Sequence, residues 1–189
     1  MLIVFEGLDG TGKGTQIELL KKDKDCIVFK YPTRNTPELN AYLERKIEID
    51  LRTLFHLFLK DIMAEQKKIM AELAKGKTVI LDRYVFSTIA YELDAYPYDE
   101  AKKIIEQMDF LVPDKVILLD IDAKTSQERK KKQKKLDRYE ENAPYLENVR
   151  KTFLKLHDDR FLTPHWHKID ATHSVEEVHK DILNVLRKE

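Results

Sequence analysis

The chain has 189 residues, one cysteine, and 34 basic side chains balanced by 34 acidic ones. A chain of this size can bury one sizeable core, and its balanced charge argues against a global field aimed at nucleic acid or membrane. With 42% hydrophobic residues, no apolar run of membrane-spanning length, no leader pattern and a lone Cys26, it reads as a globular protein of the reducing cytoplasm.

In chain order, Leu2 to Phe5 is a short apolar run that reads as a buried strand, and Gln16 to Lys22 has a helical pattern. Cys26 to Tyr31 predicts a second strand, ending in the turn-rich Pro32-Thr33-Arg34-Asn35-Thr36-Pro37. Thr36 and Pro37 suit an N-cap and first turn, so a helix is expected from there to about Lys46. Leu51, Leu54, Phe55, Phe58, Ile62, Ile69, Met70 and Leu73 keep helical spacing and predict one long helix ended by Gly76. Strands are expected at Thr78–Asp82 and Lys115–Asp120, with helices from about Phe86 to Leu93 and Asp99 to Phe110 between them. Lys124 to Lys135 is helix-prone and highly charged, Val149, Phe153 and Leu156 mark a further helix, and His165 to Ile169 is a fifth strand. Ser174 and Glu177 form a capping box before the last helix, whose buried stripe is Val175, Val178, Ile182, Val185 and Leu186. Short apolar strands alternating with helices predict an α/β fold: a five-stranded parallel sheet with helices on both faces, in a single domain spanning 1–189.

The chemistry begins at Phe5-Glu6-Gly7-Leu8-Asp9-Gly10-Thr11-Gly12-Lys13-Gly14-Thr15. A glycine-rich turn between a strand and a helix lets successive N–H groups converge on a phosphate, and Lys13 adds a point charge for the outer phosphates. Gly14 stands where a Mg²⁺-binding Ser or Thr is usual, so Thr15 or water is expected to take that role. Ligands in such a sheet gather beyond the strands' C-terminal ends. Pro32-Thr33-Arg34, Asp82-Arg83-Tyr84 and Asp120-x-Asp122 fall there beside the loop. Asp82 suits an acid that orders Mg²⁺ or one that caps the next turn, and Arg34 and Arg83 read together as a clamp for a second phosphate. The basic run Glu128 to Lys135 is a solvated helix face, a cationic flap over transferring phosphates, or a nucleic-acid patch, the last disfavoured by the neutral chain. His165 and His167 lack a third metal ligand and read as structural.

At this point the chain resembles the thymidylate kinase family over most of its length. The resemblance is carried by the phosphate loop with its Asp9 and by Asp82-Arg83-Tyr84-x2-Ser87-x2-Ala90-Tyr91. Pro32 to Pro37, Leu57-Phe58 and Asp137-Arg138-Tyr139-Glu140 follow in the order that family shows. It implies a P-loop nucleoside monophosphate kinase fold and Mg²⁺-dependent transfer of the ATP γ-phosphoryl group to dTMP, giving dTDP. By the same resemblance Gly7, Gly10, Thr11, Gly12, Lys13, Gly14 and Thr15 hold ATP, with Lys13 on the transferred group. Asp9 would meet the acceptor's 3′-hydroxyl, Arg34 and Arg83 its phosphate, Phe58 its base, Tyr139 its sugar, and Ser87 would join the acceptor site. Asp82 and Thr15 are the metal candidates. The family has members with an Arg in the phosphate loop and members with basic residues in a lid; Gly10 puts this chain in the second group. The expected lid is about 123–143, with Arg129, Lys132 and Arg138, and the expected acceptor segment about 33–75. A homodimer is implied. Ile62 stands where the family commonly has a base-reading Arg, and Glu92 where Gln is frequent, so a different or broader set of monophosphate acceptors is the alternative. A guanine-nucleotide switch would need Asn-Lys-x-Asp, which the chain lacks.

Overall fold

The computed structural model describes residues 1–131 and 142–187. Five strands form one all-parallel sheet in the order β2-β3-β1-β4-β5: β1 Leu2–Glu6, β2 Cys26–Lys30, β3 Thr78–Asp82, β4 Lys115–Asp120 and β5 Trp166–Asp170. Each strand side chain alternates between faces, so a continuous apolar run feeds two cores at once. Leu2, Val4, Val79, Leu81, Val116 and Leu118 point to one core; Ile3, Phe5, Ile80, Ile117 and Leu119 point to the other.

The second core is closed by α1 (Lys13–Asp23) and α9 (Val175–Arg187), through Ile17, Leu20, Val178, Ile182 and Leu186. The first is closed by α3 (Leu51–Met63), α4 (Gln66–Ala74), α5 (Val85–Tyr91), α6 (Tyr98–Glu106) and α8 (Ala143–Asp158). Helix α2 (Pro37–Leu43) rests on α3, and α7 (Ala123–Lys131) follows β4. The neighbours β1 and β3 therefore send their helices, α1 and α5, to opposite faces. That divergence opens a crevice beyond their C-terminal ends.

The expected long helix from 51 to 73 is two helices. It breaks at Ala64–Glu65 without a Gly or Pro, because buried Gln66 turns its carboxamide elsewhere. Its Nε2 donates to the Ile62 carbonyl, while its Oε1 accepts from the Tyr84 hydroxyl and the Leu111 amide. Met70, expected on the buried face, is 54% exposed. Helix α2 ends at Leu43 rather than Lys46, with Arg45 at φ 60°. Its Thr36 makes no cap bond, since the hydroxyl donates to Asp61 instead. The helices expected at 86–93 and 99–110 run Val85–Tyr91 and Tyr98–Glu106, and the fifth strand runs one residue later, Trp166–Asp170. The capping box is present: Ser174 Oγ accepts from Glu177 N, and Glu177 Oε2 accepts from Ser174 N. Among the described residues no helix is long and apolar enough to cross a membrane.

Candidate active site

Beyond Glu6 the chain turns through the glycine loop into α1. Gly7 sits at φ 136°, where an added Cβ would lie 2.3 Å from the Leu119 carbonyl oxygen, so only glycine lets β1 leave past β4. Gly10 sits at φ 81° under α7, with the Ser126 carbonyl 2.9 Å from where a Cβ would stand. Ser126 Oγ in turn donates to the Asp9 carbonyl at 2.6 Å, so α7 holds the crown of the loop. Lys13 is buried, and its ammonium donates to the Gly7 and Leu8 carbonyls at 2.8 and 2.9 Å. Burial, then the nearby Arg83 cation, lowers it to about 8. Thr11 is buried with its hydroxyl on the Leu8 carbonyl, whereas Gly14 and Thr15 are exposed on the first turn of α1.

The loop faces a cavity of about 520 Å³. Gly10, Gly12, Lys13, Gly14 and Thr15 form one wall, and Arg34, Phe58, Asp82, Arg83 and Ser87 line the rest with Ile62 and Tyr91. Arg83 takes φ 74° directly after β3, which swings its side chain back over Asp9. Its Nη2 pairs with Asp9 at 3.0 Å and donates to the Tyr91 hydroxyl, its Nη1 donates to Ser87 Oγ, and its guanidinium lies over the Tyr91 ring. Burial pushes the Asp9 carboxyl up, but Arg83 and then Lys13 outweigh it and hold Asp9 well below the usual carboxylate range. Burial also keeps the Tyr91 phenol protonated by raising it.

Asp82 is buried except toward the cavity and pairs with Lys30, its register partner on β2, at 3.0 Å. Lys30 is 72% exposed, so screening leaves that pair worth under about 1 kcal/mol. A single carboxylate beside phosphate oxygens suits Mg²⁺, which keeps most of its waters and needs no cage of three protein ligands. No such cage exists among the described residues. The donor set fits the metal in that outer-shell manner.

Arg34 stands exposed at the cavity rim with φ 67°. Its loop is tied down by Asp61, a buried residue of α3 that accepts from Thr33 N and Oγ1 and from Thr36 Oγ1 at 2.6 to 3.1 Å. Phe58 is half-buried one helical turn earlier, and Ile62 is only 3% exposed within the apolar cluster of Leu59, Tyr31 and Tyr84. Arg129 is placed differently from expectation. It reaches back to the Ala171 carbonyl at 2.9 Å and the Gly10 carbonyl at 3.4 Å, and Lys130 is the basic α7 residue on the cavity wall. Lys132, Arg138 and Tyr139 lie outside the described residues. Asp120 and Asp122 turn away from the cavity: Asp120 pairs with Arg150, and Asp122 accepts from Thr125 N at the start of α7.

Sequence reasoning overlooked Glu6, Asp61, Ser126 and Lys30. The first three are polar residues with no local motif, and each is buried against a partner distant in sequence. Only the β2–β3 register could have pointed to Lys30 beside Asp82.

The parallel sheet, its crevice and the loop that fills it define a P-loop nucleoside monophosphate kinase. The family profile described as thymidylate kinase matches residues 5–182. The chain is 37% identical to a "Probable thymidylate kinase" of Methanocaldococcus jannaschii, over 99% of this chain and 96% of that one. It is 35% identical to another so described from Thermococcus onnurineus, over 100% and 98%. It is 33% identical to the thymidylate kinase of Thermosipho africanus, again over 100% and 98%. The chain belongs to the thymidylate kinase family.

Proposed function

We propose that the protein transfers the γ-phosphoryl group of ATP to the 5′-phosphate of dTMP, giving dTDP and ADP. The observation that carries this reading is the facing of two phosphate-binding devices across one cavity, the glycine loop with Lys13 on one side and Arg83 with Arg34 on the other. A nucleotide switch or a hydrolase needs only the first.

The loop's N–H groups and the positive end of α1 hold the donor phosphates, and Lys13 leaves its own loop carbonyls for the phosphate that moves. Arg83, fixed by Asp9, Ser87 and Tyr91, grips the acceptor phosphate, with Arg34 closing from the rim. Phe58 supplies a flat face for the base, and Asp9, paired with Arg83 on the cavity wall, would meet the acceptor sugar. Asp82, through metal-bound water, with the exposed Thr15 hydroxyl nearby, would hold Mg²⁺ against the phosphates, where the ion offsets their charge. Two phosphate groups repel each other, so bringing cations from separate segments to one cavity is most of what the protein must do. Segment 33–75 then serves the acceptor and segment 123–143 acts as the lid. The same reading takes the protein as a cytoplasmic homodimer, which light scattering of the purified chain tests.

A second reading, a broader set of monophosphate acceptors, is favoured by Ile62, whose apolar side chain offers no donor to a base carbonyl. Chromatographic separation of the nucleotides after incubation with ATP, Mg²⁺ and dTMP tests the main proposal. It predicts dTDP and ADP in equal amounts; ADP without dTDP would make the protein a hydrolase.

A further inference from the structure

Glu6 takes no part in phosphate binding, yet it is wholly buried where the two halves of the site meet. It is the last residue of β1, and Gly7 opens the phosphate loop directly after it. Its Oε1 accepts from Tyr84 N at 2.8 Å and Ser87 N at 3.2 Å, and its Oε2 accepts from Ser87 Oγ at 2.6 Å. Tyr84, the N-cap of α5, offers no capping side chain, so Glu6 satisfies the first turn of that helix from outside. One residue earlier, the Phe5 carbonyl accepts from Arg83 N at 3.0 Å. The end of β1 thus holds the Arg83 turn from both sides while launching the donor loop.

The direction of the hydrogen bonds is what matters. A serine hydroxyl has one proton, and the 2.6 Å contact commits it to the Glu6 carboxylate. Ser87 Oγ is left to accept from Arg83 Nη1, at 3.0 Å. We infer that Glu6 is a positioning residue for phosphoryl transfer: by orienting the Ser87 hydroxyl as an acceptor for Arg83, it sets the acceptor clamp in register with the phosphate loop. This rests on the kinase reading above. The charged and titratable groups gathered about Glu6 are Arg83, Lys13 from α1, and, around Arg83, Asp9 and Tyr91. Burial raises the Glu6 carboxyl to about 7, and Arg83, the Ser87 hydrogen bond and Lys13 keep it from rising further.

Glu6→Gln is a sharp probe because it is isosteric. Tyr84 N and Ser87 N together demand the amide oxygen, which puts the amide nitrogen against Ser87 Oγ. The serine proton is then displaced toward Arg83, and donor meets donor. The experiment measures kcat and both KM values for wild type, Glu6→Gln, Ser87→Ala and the double variant, with thermal melts alongside. The acceptor is whichever monophosphate the wild-type chain phosphorylates. Glu6→Gln should lower kcat/KM for the acceptor by about tenfold or more, the worth of a hydrogen bond to a charged group, and change the KM for ATP less than about twofold. Added to Ser87→Ala it should cost little further, because the shared link is already gone. Wild-type kinetics in Glu6→Gln, equal losses toward ATP and acceptor, or losses that multiply in the double variant would overturn the inference. If Glu6→Gln fails to fold, Ser87→Ala alone decides: a selective loss toward the acceptor supports the inference, and wild-type kinetics refutes it. No turnover with any acceptor would strike down the kinase reading and this inference together, whereas an active wild type with an indifferent Glu6→Gln removes this inference alone.

Discussion

Arg83 Nη2 lies 3.0 Å from Asp9 Oδ2, joining the segment that follows β3 to the crown of the phosphate loop. Donor and acceptor sides of the cavity are thereby one electrostatic unit. Asp9 keeps its charge in a part-buried setting because Arg83 is there, and Arg83 is aimed because Asp9, Ser87 and Tyr91 hold three of its N–H directions.

Arg83→Ala removes the acceptor clamp and takes the cation away from the part-buried Asp9 carboxylate. Steady-state kinetics should show the acceptor KM raised about 100-fold or more, with the KM for ATP far less affected. Arg83→Lys should recover little, because one ammonium cannot engage Asp9, Ser87 and phosphate together. An unchanged acceptor KM in Arg83→Ala would remove Arg83 from the site.

The pH profile follows from two neighbouring groups. Glu6 works ionised and loses its proton near 7, so kcat/KM for the acceptor should rise with pH up to that point. Lys13 works protonated and sits near 8 in the free protein, so kcat/KM for ATP should fall above it. Bound phosphates favour the charged lysine, and the alkaline limb of kcat should therefore move upward relative to that of kcat/KM. Lys13→Ala should lower kcat about a thousandfold, or roughly 4 kcal/mol, since its charge is needed most at the transferring group. Flat kcat/KM profiles from pH 6 to 9 would contradict both assignments.

On the proposed reading, base selection rests on shape. Ile62 and the ring of Phe58 give the cavity an apolar wall, and one methyl in such a pocket is worth about 1–3 kcal/mol, or roughly 10–200-fold. The dTMP over dUMP ratio of kcat/KM should fall in that range, and Ile62→Ala should bring it closer to one. A ratio of about ten thousand would demand a buried polar reader of the base instead.

Helix α9 offers a control away from the chemistry. Ser174→Ala removes the capping box at its start, at a cost of about 1 kcal/mol, which in a chain of this length lowers Tm by about 2–4 °C. Its kinetics should match wild type.

The residues legible in the sequence were those whose meaning is local. The glycine loop, Asp82-Arg83 after an apolar run, and the Ser174 capping box each declare themselves within a few positions. Glu6 did not, because its partner Ser87 is 81 positions away and a glutamate ending a strand carries no pattern of its own. Asp61 depends on a loop 28 positions earlier and Ser126 on a carbonyl 117 positions earlier. The break between α3 and α4 was hidden for the same reason: Gln66 leaves the helical pattern for Leu111 and Tyr84, and no glycine or proline marks the place. Arg129 differs in another way. Its basic neighbours suggested a lid, while its own guanidinium spends its hydrogen bonds on the carbonyls of Gly10 and Ala171.

The proposed activity is phosphoryl transfer between two nucleotides, with thymine preferred by shape. The most direct measurement is ADP release from ATP and Mg²⁺ across dTMP, dUMP, UMP, CMP, AMP and GMP. Acceptor-dependent release, highest in kcat/KM with dTMP and still measurable with dUMP, is the predicted result. Release that is the same with and without every acceptor would contradict it.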